Sequence, residues 1–195
     1  MQSDDTITAD ILFPTIIWQK TINFDNNKLK SFVAGLMSAT PTVHATNIGG
    51  WQSDSSKSGG LPIEFADLQV EFDKAVKIVC EQIQLPRLRL NNLWFNVNSN
   101  GSHNVLHNHM DSVISGVYYI DIPANDMGDI VFHRDDDAAY YLPPLENVNN
   151  VTMYKQTYKA ATGRLILFPS WVKHEVTTNY SDKNRISMSF NYGVR

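Results

Sequence analysis

From residue 88 onward, apolar and polar residues alternate one by one, and this commits more than half of the chain to β-strands. Successive side chains on a strand point to opposite faces, so a period of two sorts a segment into two distinct faces. Candidate strands are 89–98, 104–109, 113–122, 129–133, 151–158, 164–168, 173–178 and 185–193, joined by turn-forming segments such as NSNGS, PANDMGD and NYSDKN. Upstream the period is helical. Residues 26–39 place Leu29, Phe32, Val33, Leu36 and Met37 on one face, and residues 63–84 do so more strongly before Pro86 ends the pattern. Residues 11–18, ILFPTIIW, read as a short strand interrupted by Pro14. Eight antiparallel strands after two helices predict a mainly β chain with N-terminal helices. The expected core is a double-sheet jelly roll with the helices packed on one face. Residues 1–195 are expected to form a single domain: 1–87 supply the N-terminal strand, helices and a loop, and 88–195 the jelly-roll core.

Composition narrows the function classes. A net charge of −4 argues against a protein that clamps nucleic acid by charge alone. One cysteine, Cys80, excludes an internal disulfide and any cysteine-based zinc cluster. The opening stretch MQSDDTITAD is acidic and carries no apolar run, and no segment reaches the ~18 apolar residues of a membrane span. A soluble, cytoplasmic protein is the expectation. The Gly-, Ser- and Thr-rich segment at 41–60 is a long loop and a candidate lid. Trp51 within it is either a substrate contact or a plug that pins the loop down.

Two strands pose a question. In 89–98, Asn92, Trp94, Asn96 and Asn98 share a face; in 185–193, Arg185, Ser187, Ser189 and Asn191 do. Such a face ordinarily meets solvent. In a jelly roll it can instead line a ligand cavity. The histidines favour the cavity. Three fall in HNVLHNHMDS, where His107, His109 and Asp111 are spaced two apart and would point to one side of a strand. His174, in LFPSWVKHEV, is a third ligand from a distant strand. His109 and Asp111 with His174 fit the two-histidine, one-carboxylate triad of non-haem Fe(II) oxygenases. His107 and His109 with His174 give an all-histidine site instead. Trp94 and Trp171 read as packing residues, and His103 and His133 as structural or exposed ones.

Arg185 heads the polar face of the last strand. A buried arginine needs an anion, and its planar fork suits a carboxylate. Ser187, on the same side, can donate to that same carboxylate. A metal with open positions beside such a clamp is what a dicarboxylic keto acid needs. Four stretches carry a wider likeness: LWFNVNSNGSHNVLHNHMDSVISGVYYIDIP at 93–123, GGWQSDSS at 49–56, GRLILFPSWVKHEV at 163–176 and RISMSFNYG at 185–193. Together they resemble the 2-oxoglutarate and Fe(II)-dependent oxygenase superfamily, and more narrowly a compact family of 2OG-Fe(II) oxygenases. The resemblance implies a double-stranded β-helix, Fe(II), 2-oxoglutarate and O2.

On that resemblance, His174 is the distal iron ligand. Arg185 and Ser187 match the R-x-S element that holds the 2-oxoglutarate tail. Tyr119 resembles a tyrosine that helps hold the co-substrate, and Asn96 could do likewise. The superfamily's H-x-D pattern matches His109 and Asp111, whereas the narrower family features H-x-H at His107 and His109. His109 and His174 belong to both sets. The implied activity is a dioxygenase that hydroxylates an unactivated C–H bond, with succinate and CO2 as co-products. The substrate is a small molecule or a peptidyl side chain, with a nucleobase disfavoured by the acidic charge; the chain admits a homodimer and has no membrane partner. The competing expectations are a cupin-like all-histidine metalloprotein without 2-oxoglutarate, and a non-catalytic jelly-roll interaction module.

Overall fold

The structure, a computed structural model, describes residues 7–55 and 60–194. The first six residues of the acidic opening stretch, and loop residues 56–59 of the candidate lid, lie outside the described residues. Two antiparallel sheets form the body. The larger has six strands in the order β1 (Trp18–Thr21), β9 (Arg164–Pro169), β6 (Ile114–Asp121), β11 (Arg185–Gly193), β4 (Arg89–Asn98) and β3 (Trp51–Gln52). The smaller has five: β2 (Asn47–Ile48), β5 (His103–His107), β10 (His174–Val176), β7 (Ile130–His133) and β8 (Lys155–Tyr158). Helix α1 spans Asn27–Ala39, and a 3-10 turn at Ile63–Phe65 leads into α2 at Ala66–Gln82. A single turn, α3, occupies Ala138–Tyr141. Each of the eight strand segments expected after residue 88 overlaps a strand.

The larger sheet is covered on both sides, and the period of two decides which residue goes where. On its outer face Leu93, Phe95, Tyr118, Ile120, Met188 and Phe190 pack against Leu29, Val33, Leu68, Phe72 and Val76 of the two helices. Phe72 stacks on Phe190 with ring centroids 4.7 Å apart. The inner face faces the second sheet. There Val117, Tyr119, Ile166 and Phe168 meet Ile130, Phe132 and Val172 in a smaller apolar cluster. Gly116 lets the layers close, because a Cβ there would lie 2.4 Å from the Phe190 ring. The remaining inner surface is polar. Asn96, Asn98, Arg185, Ser187 and Asn191 are all buried. The polar strand faces therefore line an interior cavity rather than meet solvent.

Three expectations are corrected. The first strand begins at Trp18, which pairs with Leu167, and not at residue 11. Ile11, Leu12 and Phe13 are exposed, Phe13 has φ +54°, and Pro14 offers no N–H to a neighbour. The strand starts only where β9 supplies a partner. Within the 41–60 loop, Asn47–Ile48 and Trp51–Gln52 each add a short strand to a sheet edge. Finally, the strand expected over 104–109 ends at His107, so the period-two projection does not extend to Asp111. Among the described residues, no helix is long and apolar enough to cross a membrane.

Candidate active site

The backbone brings His107 and His174 together first. They are cross-strand partners on β5 and β10, and their ring centroids lie 4.3 Å apart. His109 follows just beyond the end of β5, where its backbone N–H donates to the Ser170 carbonyl at 2.9 Å. Its ring centroid is 5.2 Å from that of His107 and 5.0 Å from that of His174. One ligand atom from each of the three lies within 4.8 Å of the other two. Asp111 stands apart from this group. It sits in a turn with φ +63° and is exposed, and its main-chain carbonyl accepts from Asn91 Nδ2 at 3.4 Å.

Each ring is oriented through Nδ1. His107 Nδ1 lies 2.7 Å from the Val105 carbonyl and His174 Nδ1 2.9 Å from the Val172 carbonyl. A carbonyl can only accept, so both rings carry their proton on Nδ1 and leave the Nε2 lone pair free. His109 Nδ1 lies 2.6 Å from Asn191 Oδ1 and 2.9 Å from Ser115 Oγ. Burial disfavours the charged imidazolium in all three. It lowers the pKa of His107, takes that of His109 down to about 4 and that of His174 to about 3, with the neighbouring imidazoles adding to the effect on the last two. Neutral, pre-oriented imidazoles are what a divalent transition metal needs from its ligands. The donor set fits such an ion.

Deeper in the cavity lies Arg185, 2% exposed. Its Nη1 donates to the Gly128 carbonyl at 3.0 Å, while its Nε is buried without a partner among the described residues. An orphaned guanidinium N–H inside a cavity fits an anionic ligand. Ser187 pairs in register with Asn96 on one side and Tyr119 on the other, so these three side chains share one row with their backs to the helices. Burial pushes the Tyr119 phenol up to about 12, which keeps it a neutral donor. Asn96 Nδ2 donates to Ser189 Oγ at 3.3 Å and its Oδ1 is buried without a partner. The three histidines, Arg185, Ser187, Tyr119 and Asn96 line a single cavity of about 280 Å³.

Other residues divide between their expected places and new ones. Trp51 is the plug: it is buried in the helix-side core and its Nε1 donates to the Thr40 carbonyl at 3.1 Å. Its neighbour Gln52 lines the cavity instead, with Ala45, Thr46 and Ser55 of the same loop. Trp94 also lines the cavity, its ring edge-on to His109 at 5.5 Å. Trp171 is 54% exposed and so is not a core packing residue. His133 holds Glu175 at 3.0 Å outside the cavity. Asn191 and Ser115 went unassigned as site residues in the sequence. The alternation that put Asn191 on the same face as Arg185 was the available signal.

The cavity-bearing half also carries the relationship to known proteins. The profile of a family described as "Putative 2OG-Fe(II) oxygenase" matches residues 92–191, just over half of the chain. Curated proteins gave no match. Solved structures with the same fold include a Pseudomonas putida prolyl-4-hydroxylase (14% identity, TM-score 0.61, covering 92% of each chain). HygX from Streptomyces hygroscopicus, solved with nickel, 2-oxoglutarate and hygromycin B, is similar at 16% identity and a TM-score of 0.63 over 92% of this chain and 83% of that one. The epimerase SnoN, in complex with Fe3+, α-ketoglutarate and nogalamycin RO, is similar at 13% identity and a TM-score of 0.64 over 91% and 78%. These likenesses confirm the double-stranded β-helix. The matched segment holds His107, His109, His174, Arg185, Ser187, Tyr119 and Asn96, and the chain belongs to this family of 2OG-Fe(II) oxygenases, enzymes that use Fe(II), 2-oxoglutarate and O2.

Proposed function

We propose that the protein is a hydroxylase that oxidises an unactivated C–H bond, with His107, His109 and His174 as the iron ligands. The carrying observation is the convergence of three imidazoles whose Nδ1 atoms are already engaged, above a buried Arg185 whose Nε has no partner. Asp111, exposed and on a separate turn, has no part in the ligand set. When bound, iron and 2-oxoglutarate supply an oxidant from O2, with succinate and CO2 as co-products.

The side chains of the chain do the holding. Arg185 Nε, with Ser187 and the neutral Tyr119 phenol beside it, receives the distal carboxylate of 2-oxoglutarate; Asn96 flanks the same row. Gly128 keeps the guanidinium in place through its carbonyl. Phe168, Val117 and Ile130 are buried apolar lining residues that exclude water, which strengthens the charge-assisted contacts. Among the lining residues Ala45, Asn108 and Met110 are exposed, and the substrate enters past them. Among the described residues the lining is rich in hydrogen-bonding side chains such as Gln52, Asn92, Asn96, Asn104 and Asn108, which suits a small molecule or peptidyl side chain that offers hydrogen-bonding groups. The single cysteine, buried and unpaired, agrees with a cytoplasmic setting.

A cupin-like enzyme that does without 2-oxoglutarate shares the all-histidine ligands, but it has no use for the orphaned arginine. The test is anaerobic. Fe(II) and then 2-oxoglutarate are added to metal-free protein, and the weak visible charge-transfer band of the chelate is followed. The band is expected, together with O2-dependent succinate release. Metal uptake without the band would favour the cupin-like reading, and no metal uptake would favour a non-catalytic module.

A further inference from the structure

The three histidines are not held alike. His107 and His174 are oriented by main-chain carbonyls two residues upstream. His109 lies past the end of its strand and is oriented by a side chain. Asn191 Oδ1 lies 2.6 Å from its Nδ1. The Asn191 amide is itself fixed: its Nδ2 donates to Asn92 Oδ1 at 2.8 Å, which turns the oxygen toward the imidazole. Ser115 Oγ donates to the same Asn191 oxygen at 2.7 Å and lies 2.8 Å from Ser170 Oγ. The backbone sets up this row, since Asn191 is the cross-strand partner of Asn92 on β4 and of Ser115 on β6.

We infer that Asn191 is a positioning residue that fixes the tautomer and ring plane of His109 so that Nε2 faces the metal. The inference rests on the reading of His109 as a ligand. An amide oxygen can only accept, so at this distance it requires a proton on Nδ1. Without it, Ser115 Oγ alone faces Nδ1, and a hydroxyl can donate as readily as accept. The ring could then carry its proton on Nε2, which removes the ligand. Groups in this position on other metal-binding histidines influence metal affinity by about 10–100-fold when lost.

The tautomer is read directly in the metal-free wild-type protein by long-range 15N–1H correlation of the imidazole rings. His109 is expected with its proton on Nδ1; a proton on Nε2 overturns the inference. Competition titration with Co(II) then compares variants. Asn191→Leu is expected to weaken binding about 10–100-fold, and Asn191→Asp, which keeps an acceptor of the same shape, to bind at least as tightly as wild type. Should Asn191→Leu not fold, Asn191→Asp and the tautomer decide the matter. Weakening by Asn191→Asp as large as by Asn191→Leu, or wild-type binding by Asn191→Leu, overturns the inference. His109→Ala separates the two levels. If it retains wild-type Co(II) affinity, the ligand reading itself fails; if it loses affinity while Asn191→Leu does not, only the role of Asn191 fails.

Discussion

Replacing Arg185 with Met should separate function from stability in opposite directions. The side chain is 2% exposed, it donates to the Gly128 carbonyl, and its Nε has no partner among the described residues. Burial pulls the Arg185 pKa down against the smaller opposing effects of Tyr119 and Asp129, a sign that the surrounding protein groups on balance do not favour the charge. An unsatisfied buried donor costs about 1–3 kcal/mol, and the charge-assisted bond to Gly128 returns about 1.5–3 kcal/mol, so the two nearly cancel. Met fills a similar volume without the charge. The metal-free variant should thus be as stable as wild type or about 1 kcal/mol more stable, a rise in Tm of roughly 2–4 °C for a chain of this size. Binding of 2-oxoglutarate should behave oppositely. A charge-assisted contact is worth about 1.5–3 kcal/mol, so loss of a two-point clamp should weaken binding by at least about 3 kcal/mol, or roughly 150-fold. Thermal unfolding of the metal-free proteins gives the first number, and calorimetric titration of 2-oxoglutarate into Zn(II)-loaded protein the second. Unchanged 2-oxoglutarate affinity would refute the clamp. A fall in Tm of ten degrees or more would refute the view that the guanidinium is held there for a ligand rather than for the fold.

Gly128→Ala should perturb the same clamp indirectly: at φ +85°, its Cβ would lie 2.2 Å from the Thr177 carbonyl oxygen and 2.9 Å from Arg185 Nη1. A weaker 2-oxoglutarate affinity with unchanged metal affinity is expected in the same calorimetric titration. Gly116→Ala should destabilise the fold by about 1–3 kcal/mol in urea unfolding, since its Cβ would overlap Phe190 and Leu167. Metal affinity should persist below the ordinary histidine pKa of about 6.5, because burial lowers the pKa of all three ligands, and should be lost by the point where His109 and His174 protonate near about 4 and about 3; a full decline at about 6.5 would contradict their burial. By the same linkage, histidines whose folded pKa is depressed stabilise the metal-free fold above about pH 6.5. That contribution is lost as the pH falls from about 6.5 toward 4, which acid unfolding monitored by circular dichroism will show.

The period-two pattern after residue 88 was legible because both faces of each strand meet a defined environment. The Asn96 and Arg185 faces read as polar for the same reason, and only the clustered histidines indicated that this polarity lined a cavity. The ligand set was less legible. Projection along an ideal strand puts His107, His109 and Asp111 on one side, but the strand ends at His107, and the chain turns through a left-handed residue at Asp111. Where a strand stops depends on which neighbour continues to pair with it, and β10 is only His174–Val176. The same logic hid the start of β1 and the short strands around Trp51, whose partners lie far along the chain. The face that Asn191 occupies is legible, but its role is not, because that role follows from cross-strand register with Asn92 and Ser115, and pairing register is a tertiary property.

The all-histidine centre is tested most directly by anaerobic Fe(II) titration of two variants side by side, His107→Ala and Asp111→Ala. His107 is expected to be indispensable: its variant should lose high-affinity Fe(II) and the visible band formed with 2-oxoglutarate, while Asp111→Ala keeps both. Loss of iron from Asp111→Ala, with His107→Ala binding as wild type does, would contradict the three-histidine centre and restore the carboxylate as a ligand.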